Sequence, residues 1–184
     1  GDFWQKMANL KLLLAYQYTR PGKQLMFMGT EIGQHHEWSH ENSLDWHIAE
    51  HPQRQGLQRF LADLGQLYLH TPALWRSDPQ PESFEWIDFN DRDNTIISYL
   101  RRDGADHVMV VLNFTPVTRD SYRVGAPQAG RYRVVMSSDA EIYNGSGFQA
   151  DSVVVTDNVP IHGREFSLLL RIPPLAALIL VPEK

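Results

Sequence analysis

Apolar residues recur at helical spacing from the start of the chain. Phe3, Met7, Leu10, Leu14 and Tyr18 form one stripe, and Leu12 and Leu13 widen it. Asp2 stands where an N-cap belongs, and Arg20-Pro21-Gly22 stops the period. Gln24 to Met28 is then a short apolar run closed by Gly29, a pattern that predicts a strand buried on both faces of a parallel sheet. About twenty residues follow with neither helical nor strand period, and a loop that long inside a compact domain is usually functional. A second stripe of Leu57, Phe60, Leu61, Leu64, Leu67 and Tyr68 predicts a helix from about Gly56 to His70, ended by Thr71-Pro72.

After the proline-rich connector Ser77-Asp78-Pro79-Gln80-Pro81-Glu82 the pattern changes to short strands separated by turns. Strands are predicted at Phe84 to Phe89, Thr95 to Arg102, His107 to Phe114 and Ser121 to Val124. Four more follow at Arg131 to Ser137, Ser152 to Val155, Phe166 to Ile172 and Ala176 to Val181. Many short strands at this spacing indicate an antiparallel β-sandwich with enough strands to close its own core. The first part is different. One buried strand between two helices has no sheet to join, so it reads as a piece of a larger α/β domain.

Composition narrows the function classes. The net charge is −5 with no basic run, which argues against nucleic acid and anionic membrane as partners. There is no cysteine, which excludes a disulfide scaffold and a thiolate metal site and fits a cytoplasmic setting. No apolar stretch reaches membrane-spanning length and no signal peptide is read at the start. Asn113-Phe114-Thr115 and Asn144-Gly145-Ser146 match the glycosylation sequon, but without a secretory signal they are not read as glycosylation sites.

The long loop carries Glu31, Gln34, Trp38, Asn42, Asp45 and Trp46. Flat aromatic faces beside carboxylates and amides suit a sugar ring, whose CH faces stack and whose hydroxyls need donors and acceptors. His36-Glu37-Trp38-Ser39-His40 matches H-E-x-x-H literally. That zinc motif needs a helix to bring both histidines to one face, and Gly33 and Ser39 flank a stretch with no apolar period. No metal or cofactor is therefore expected.

The stretch Phe27-Met28-Gly29, Glu31, Gly33-Gln34, Glu37-Trp38 and Ser43-Leu44-Asp45-Trp46 closely resembles the glycogen branching enzymes, the 1,4-α-glucan branching members of the α-amylase superfamily. The resemblance continues through Gly56-Leu57-Gln58-Arg59, Phe84-Glu85-Trp86, Asn113-Phe114-Thr115-Pro116 and Pro173-Pro174-Leu175-Ala176. Thr30 and Ile32 are mild departures. The resemblance implies the last helix–strand–helix of a (β/α)8 barrel in residues 1–72, a linker at 73–83, and a C-terminal antiparallel β-sandwich in 84–184. It implies an enzyme that transfers 1,4-linked glucan segments to 6-hydroxyls by a retaining mechanism. Its three catalytic carboxylates would follow barrel strands four, five and seven, upstream of this chain, so no catalytic residue is assigned here. A separate α-glucan-binding module, or the C-terminal region of another superfamily enzyme such as an amylase, is the alternative.

The implied partners are α-glucans (glycogen, amylose, maltooligosaccharides) and the missing part of the barrel. The expected glucan contacts are Asp2 and Trp4 at the start of the first helix, and Glu31 and Trp38 in the long loop. Trp86 is expected as a surface platform, with Glu50 as its weaker neighbour. Trp46 is expected to pin the loop and Trp75 to pack. Alternation places Phe84, Trp86 and Asp88 on one strand face and Glu85, Ile87 and Phe89 on the other.

Overall fold

The computed structural model describes residues 1–183. Helix α1 spans Phe3–Thr19. The Asp2 carboxylate accepts the Gln5 N–H at 2.8 Å, and the Gln5 side-chain oxygen accepts the Asp2 N–H at 3.0 Å, a capping box that fixes the helix start. Helix α2 spans Pro52–His70 and starts four residues before the apolar stripe suggested. Pro52 at the first helical position needs no hydrogen-bond acceptor, and that polar first turn carries no hydrophobic period to announce it.

Eight strands follow: β1 Phe84–Asp91, β2 Ile96–Asp103, β3 Asp106–Asn113, β4 Arg119–Ala126, β5 Arg131–Ser137, β6 Val153–Val155, β7 Phe166–Ile172 and β8 Ala176–Pro182. All eight predicted strands form. The order is β1-β2-β3-β8-β5-β6 in one antiparallel sheet, with β4-β7 as a separate pair. The sandwich is therefore unequal, and the pair packs on one face of the large sheet only. There Met109, Val111, Leu178 and Leu180 meet Val124, Leu168 and Leu170. The other face turns Val108, Val110, Leu112, Ala177 and Ile179 toward Leu12, Leu14, Leu57, Phe60 and Leu64 of the two helices. Both faces of the central strands are buried, which is why their sequences are continuous apolar runs. The β region does not close its own core; the helices close half of it.

The expected buried strand at 24–28 is absent. The segment is irregular and its apolar side chains face outward, with Leu25 72% exposed and Met26, Phe27 and Met28 also exposed. A strand needs a neighbour to satisfy its N–H and C=O groups. The large sheet meets the helices with a packed face, and its edge strands β1 and β6 form no ladder with this segment.

Helices α1 and α2 run parallel. Phe3 packs edge-on against His51 at the N-terminal ends, with centroids 4.9 Å apart, and Tyr18 meets Tyr68 at 6.0 Å at the C-terminal ends. The chain returns between those ends. Gln17 donates to the Leu25 carbonyl near the C-terminus of α1. Further on, Gly33 lies against Met7, Leu10 and Leu57 near the N-terminus.

Buried polar groups tie the helices to the β region: the hydroxyls of Thr19 and Tyr99 pair, and Arg101 and Lys11 add longer reaches. Arg101, with 0% exposure, donates to the Thr19 carbonyl at 2.8 Å and the Ser83 carbonyl at 3.3 Å, and pairs with Asp78. The connector is thus clamped to the sheet. Ala73 and Leu74 enter the core, whereas Trp75 remains partly exposed, contrary to its expected packing role. Lys11 is equally buried and donates to the Tyr143 carbonyl at 2.9 Å. Tyr143 in turn donates its hydroxyl to Asp63 of α2 at 2.8 Å. Gly56 admits this corner: a Cβ there would stand 2.5 Å from the Tyr143 carbonyl oxygen.

Burial lowers the Lys11 pKa from 10.5 to about 8, and Asp139 only partly opposes it. A lowered folded pKa means that the unfolded chain binds more protons between those values, so stability rises with pH across that window. The expected rise from pH 8 toward 10 is about 3 kcal/mol at most. Tyr132, raised to about 12, works in the opposite sense once unfolded tyrosines begin to ionise near pH 10. Urea midpoints at pH 7.5 and 9.5 measure the effect, and Lys11→Met is expected to flatten it. A wild-type midpoint that does not increase contradicts the assignment.

Candidate functional site

The loop between the return segment and α2 opens at the N-terminal ends of both helices. A 3-10 turn at Thr30–Ile32 begins it and presents Glu31, half-buried. Gly33 follows with φ +60°, a backbone that favours glycine, and a Cβ there would lie a tight 3.1–3.3 Å from the side-chain tips of Met7, Leu10 and Leu57. Arg54, from the first turn of α2, is only 3% exposed. Its Nη1 donates to the Ile32 carbonyl at 2.5 Å and also to that of Gly33. Its guanidinium lies 5.3 Å from the centre of the Phe3 ring.

Beyond Gly33 the loop closes on itself. The Gln34 side-chain oxygen accepts the Asp45 N–H at 3.0 Å, and its amide donates to the His36 carbonyl at 3.2 Å. His36 Nδ1 and the Asp45 carboxylate are 3.0 Å apart. These residues with Glu37, Ser39, Asn42, Ser43 and Leu44 line a cleft of about 320 Å³ whose lining is mostly polar. The H-E-x-x-H segment is irregular. His36 turns to Asp45 and His40 lies 3.9 Å from Glu41, so the two histidines do not share a helix face. Among the described residues no group of three His, Asp or Glu side chains has metal-holding geometry.

The expected glucan contacts fall into two groups. Asp2, Trp4, Glu31, Trp38 and Glu50 lie at the loop end. Asp2 spends one carboxylate oxygen on its cap. Trp4 is half-buried, and its indole N–H is covered without an acceptor among the described residues. Trp38 meets Phe27 edge-on at 5.2 Å. Trp46 is 57% exposed against 44% for Trp38, so it does not pin the loop as expected. Its neighbours Ile48 and Ala49 are themselves only half-buried, and no residue from 42 to 50 is buried against which the ring could be held.

Trp86 lies at the other end of α1, beside Arg20. Seventeen helical residues separate the two ends by about 25 Å. Glu50 precedes His51, which packs on Phe3, and so it cannot neighbour Trp86 as expected. The Arg20 guanidinium lies 5.2 Å from the Trp86 ring centre, and Phe84 and Tyr99 stand near-perpendicular to the ring at 5.0 and 5.6 Å. The exposed ring is Phe89, 5.5 Å from Trp86 and 57% exposed. Alternation had placed Phe89 on the opposite face. A bulge between Trp86 and Asp88 shifts the register and turns it to the Trp86 side.

Sequence reasoning missed Arg54, Arg20 and Phe89. For Arg54 the only local signal is an arginine in the first turn of a helix. Asn113 of the first sequon is fully buried and donates to the carbonyls of Val117 and Pro173, both at 2.8 Å, so it is committed structurally.

Comparison with known proteins gives these features a context. Residues 86–183 match the family described as alpha amylase, C-terminal all-beta domain. The whole chain is 49% identical to the 1,4-alpha-glucan branching enzyme GlgB of Aquifex aeolicus and spans 29% of that protein. It is 47% identical to the enzyme of the same name from Salinibacter ruber, again over 100% of this chain and 29% of that one. Among solved structures, AmyP in complex with maltose superimposes with a TM-score of 0.65 at 14% identity, covering 96% of this chain and 34% of that one. A cyclomaltodextrinase gives 0.64 at 16% identity, over 96% and 26%. At such identities these two likenesses speak for the fold alone. The chain thus spans under a third of the curated relatives it matches, and over half of it is the matched domain. It belongs to the alpha amylase C-terminal all-beta domain family, and over its whole length it is similar to part of the 1,4-alpha-glucan branching enzymes.

Proposed function

We propose that this chain works within a larger enzyme that transfers 1,4-linked α-glucan segments to 6-hydroxyls, and that residues 1–72 complete its (β/α)8 barrel. The observation that carries this reading is the pair of parallel helices with a return segment running back between their ends. Parallel neighbouring helices joined by a long return are what a barrel unit makes, with the strand as the return. The exposed run from Leu25 to Met28 is that strand without its partners, and pairing with neighbouring strands would bury it. In this reading residues 73–83 link barrel to sandwich and 84–184 form the C-terminal domain. No residue of the chain is assigned a catalytic role. The retaining carboxylates would lie on the preceding barrel strands, and the similarity to 1,4-alpha-glucan branching enzymes supports a role in α-glucan synthesis.

The loop end would face the active site, because strand C-termini in a barrel do so. There Glu31, Trp38, Trp4, Asp2 and Glu50 would meet the glucan, with the polar cleft supplying hydroxyl partners. At the far end Trp86, widened by Phe89, forms a secondary platform. The full-length enzyme carrying this chain is expected to create 1,6 linkages in amylose, read by debranching analysis. Phe89→Ala is expected to weaken maltooligosaccharide binding several-fold, consistent with about 1 kcal/mol for one aromatic contact, and Trp86→Ala at least as much. Unchanged affinity in both, with melting intact, would return the cluster to packing.

A further inference from the structure

We infer that Arg54 is the positioning residue of the loop site, holding the Glu31 turn and the polar cleft in register with the two helices. The inference rests on the proposed glucan-transfer reading and adds a role for a side chain that reading does not use. Arg54 is buried beneath the loop, so solvent does not compete for its donors. It bonds two successive carbonyls, those of Ile32 and Gly33, at the end of the 3-10 turn that displays Glu31. Those carbonyls are the last backbone groups before Gln34, the residue that closes the loop through Asp45 and His36. One guanidinium therefore connects α2 to Glu31 on one side and to the cleft on the other.

The guanidinium is favoured by its reach and by its contact with Phe3. One nitrogen, Nη1, serves both carbonyls, while the planar group as a whole lies over Phe3. A lysine ammonium has three N–H donors for the same carbonyls, but its stem is shorter and it has no planar face to lay on the ring. The Asp45 carboxylate adds an attraction that favours the charged form, against the cost of burial. Removing the side chain leaves two carbonyls without donors and frees Gly33, whose left-handed backbone is the hinge of the loop. Substrate groups would then meet a mobile Glu31 and Gln34. The loss should appear chiefly in substrate affinity, because the reacting carboxylates are placed elsewhere.

The test uses the full-length enzyme carrying this chain, as wild type, Arg54→Ala and Arg54→Lys. Branching of amylose gives KM and kcat, and hydrogen exchange reports the amides of Gln34 and Asp45. For Arg54→Ala, KM is expected to rise 10- to 100-fold with kcat falling less than 5-fold. Exchange at Gln34 and Asp45 should quicken at least 10-fold while the β8 amides stay protected. Arg54→Lys should recover part of the KM loss, and millimolar methylguanidinium should recover part of it in Arg54→Ala. An equal fall in kcat at unchanged KM, or unchanged kinetics, overturns the inference. Global deprotection that includes β8 overturns it too, since the residue would then serve folding in general. If the wild type makes no 1,6 linkages, it is the glucan-transfer reading that fails. In that case exchange alone decides whether Arg54 orders the loop.

Discussion

Arg101→Ala is expected to lower the unfolding free energy by about 3–5 kcal/mol, the usual cost of breaking a buried ion pair from one side. The guanidinium is fully buried and serves three acceptors from three segments: Thr19 at the end of α1, Ser83 beside β1, and the connector's Asp78. Truncation leaves two carbonyls without this donor and strands a carboxylate that is itself mostly covered. Domains of ordinary stability have about 5–15 kcal/mol in total, so one substitution removes a large share. Arg101→Met with Asp78→Asn should recover much of the loss, because volume is retained and no charge is left behind. Urea unfolding of the three variants measures this. A loss below about 1 kcal/mol for Arg101→Ala would show that the connector is held by packing alone.

The second large effect concerns activity. Incubated alone with amylose, the 184-residue chain is expected to form no 1,6 linkages. Cleavage by retention needs a nucleophile and an acid on opposite sides of one glycosidic bond. In the proposed reading both precede Gly1. Loss of a catalytic nucleophile typically costs on the order of a million-fold in rate, so residual glucan binding would not restore turnover. The chain should instead expose its unpaired segment at Leu25 to Met28, seen as fast amide exchange there against slow exchange in β3 and β8. Turnover near that of a full-length branching enzyme, with the sample's mass verified, would reveal an active site within the chain. Glu31 and Glu37 would be the residues to mutate first.

Periodicity determined much of this protein. Both helices and all eight strands are legible because each buries a face whose spacing, 3.6 or 2, is written in adjacent residues. Continuous apolar runs such as Val108 to Leu112 announce strands covered on both faces, and the structure supplies the two covers, helices on one side and β4-β7 on the other. The polar and aromatic make-up of the 31–46 loop is readable from its composition, as is the lack of a helix under H-E-x-x-H.

Other features depend on partners distant in sequence. A strand at 24–28 reads correctly as apolar, but a strand exists only where neighbours accept its hydrogen bonds, and these are missing here. Trp86 and Phe89 share a face because of a bulge set by pairing with β2, which alternation along β1 cannot foresee. Glu50 and Trp86 are kept about 25 Å apart by the length of α1. Arg54 and Arg101 look like surface residues in the sequence. Each is instead buried where separate segments end and leave carbonyls to be satisfied, and only the packed chain decides which segments those are.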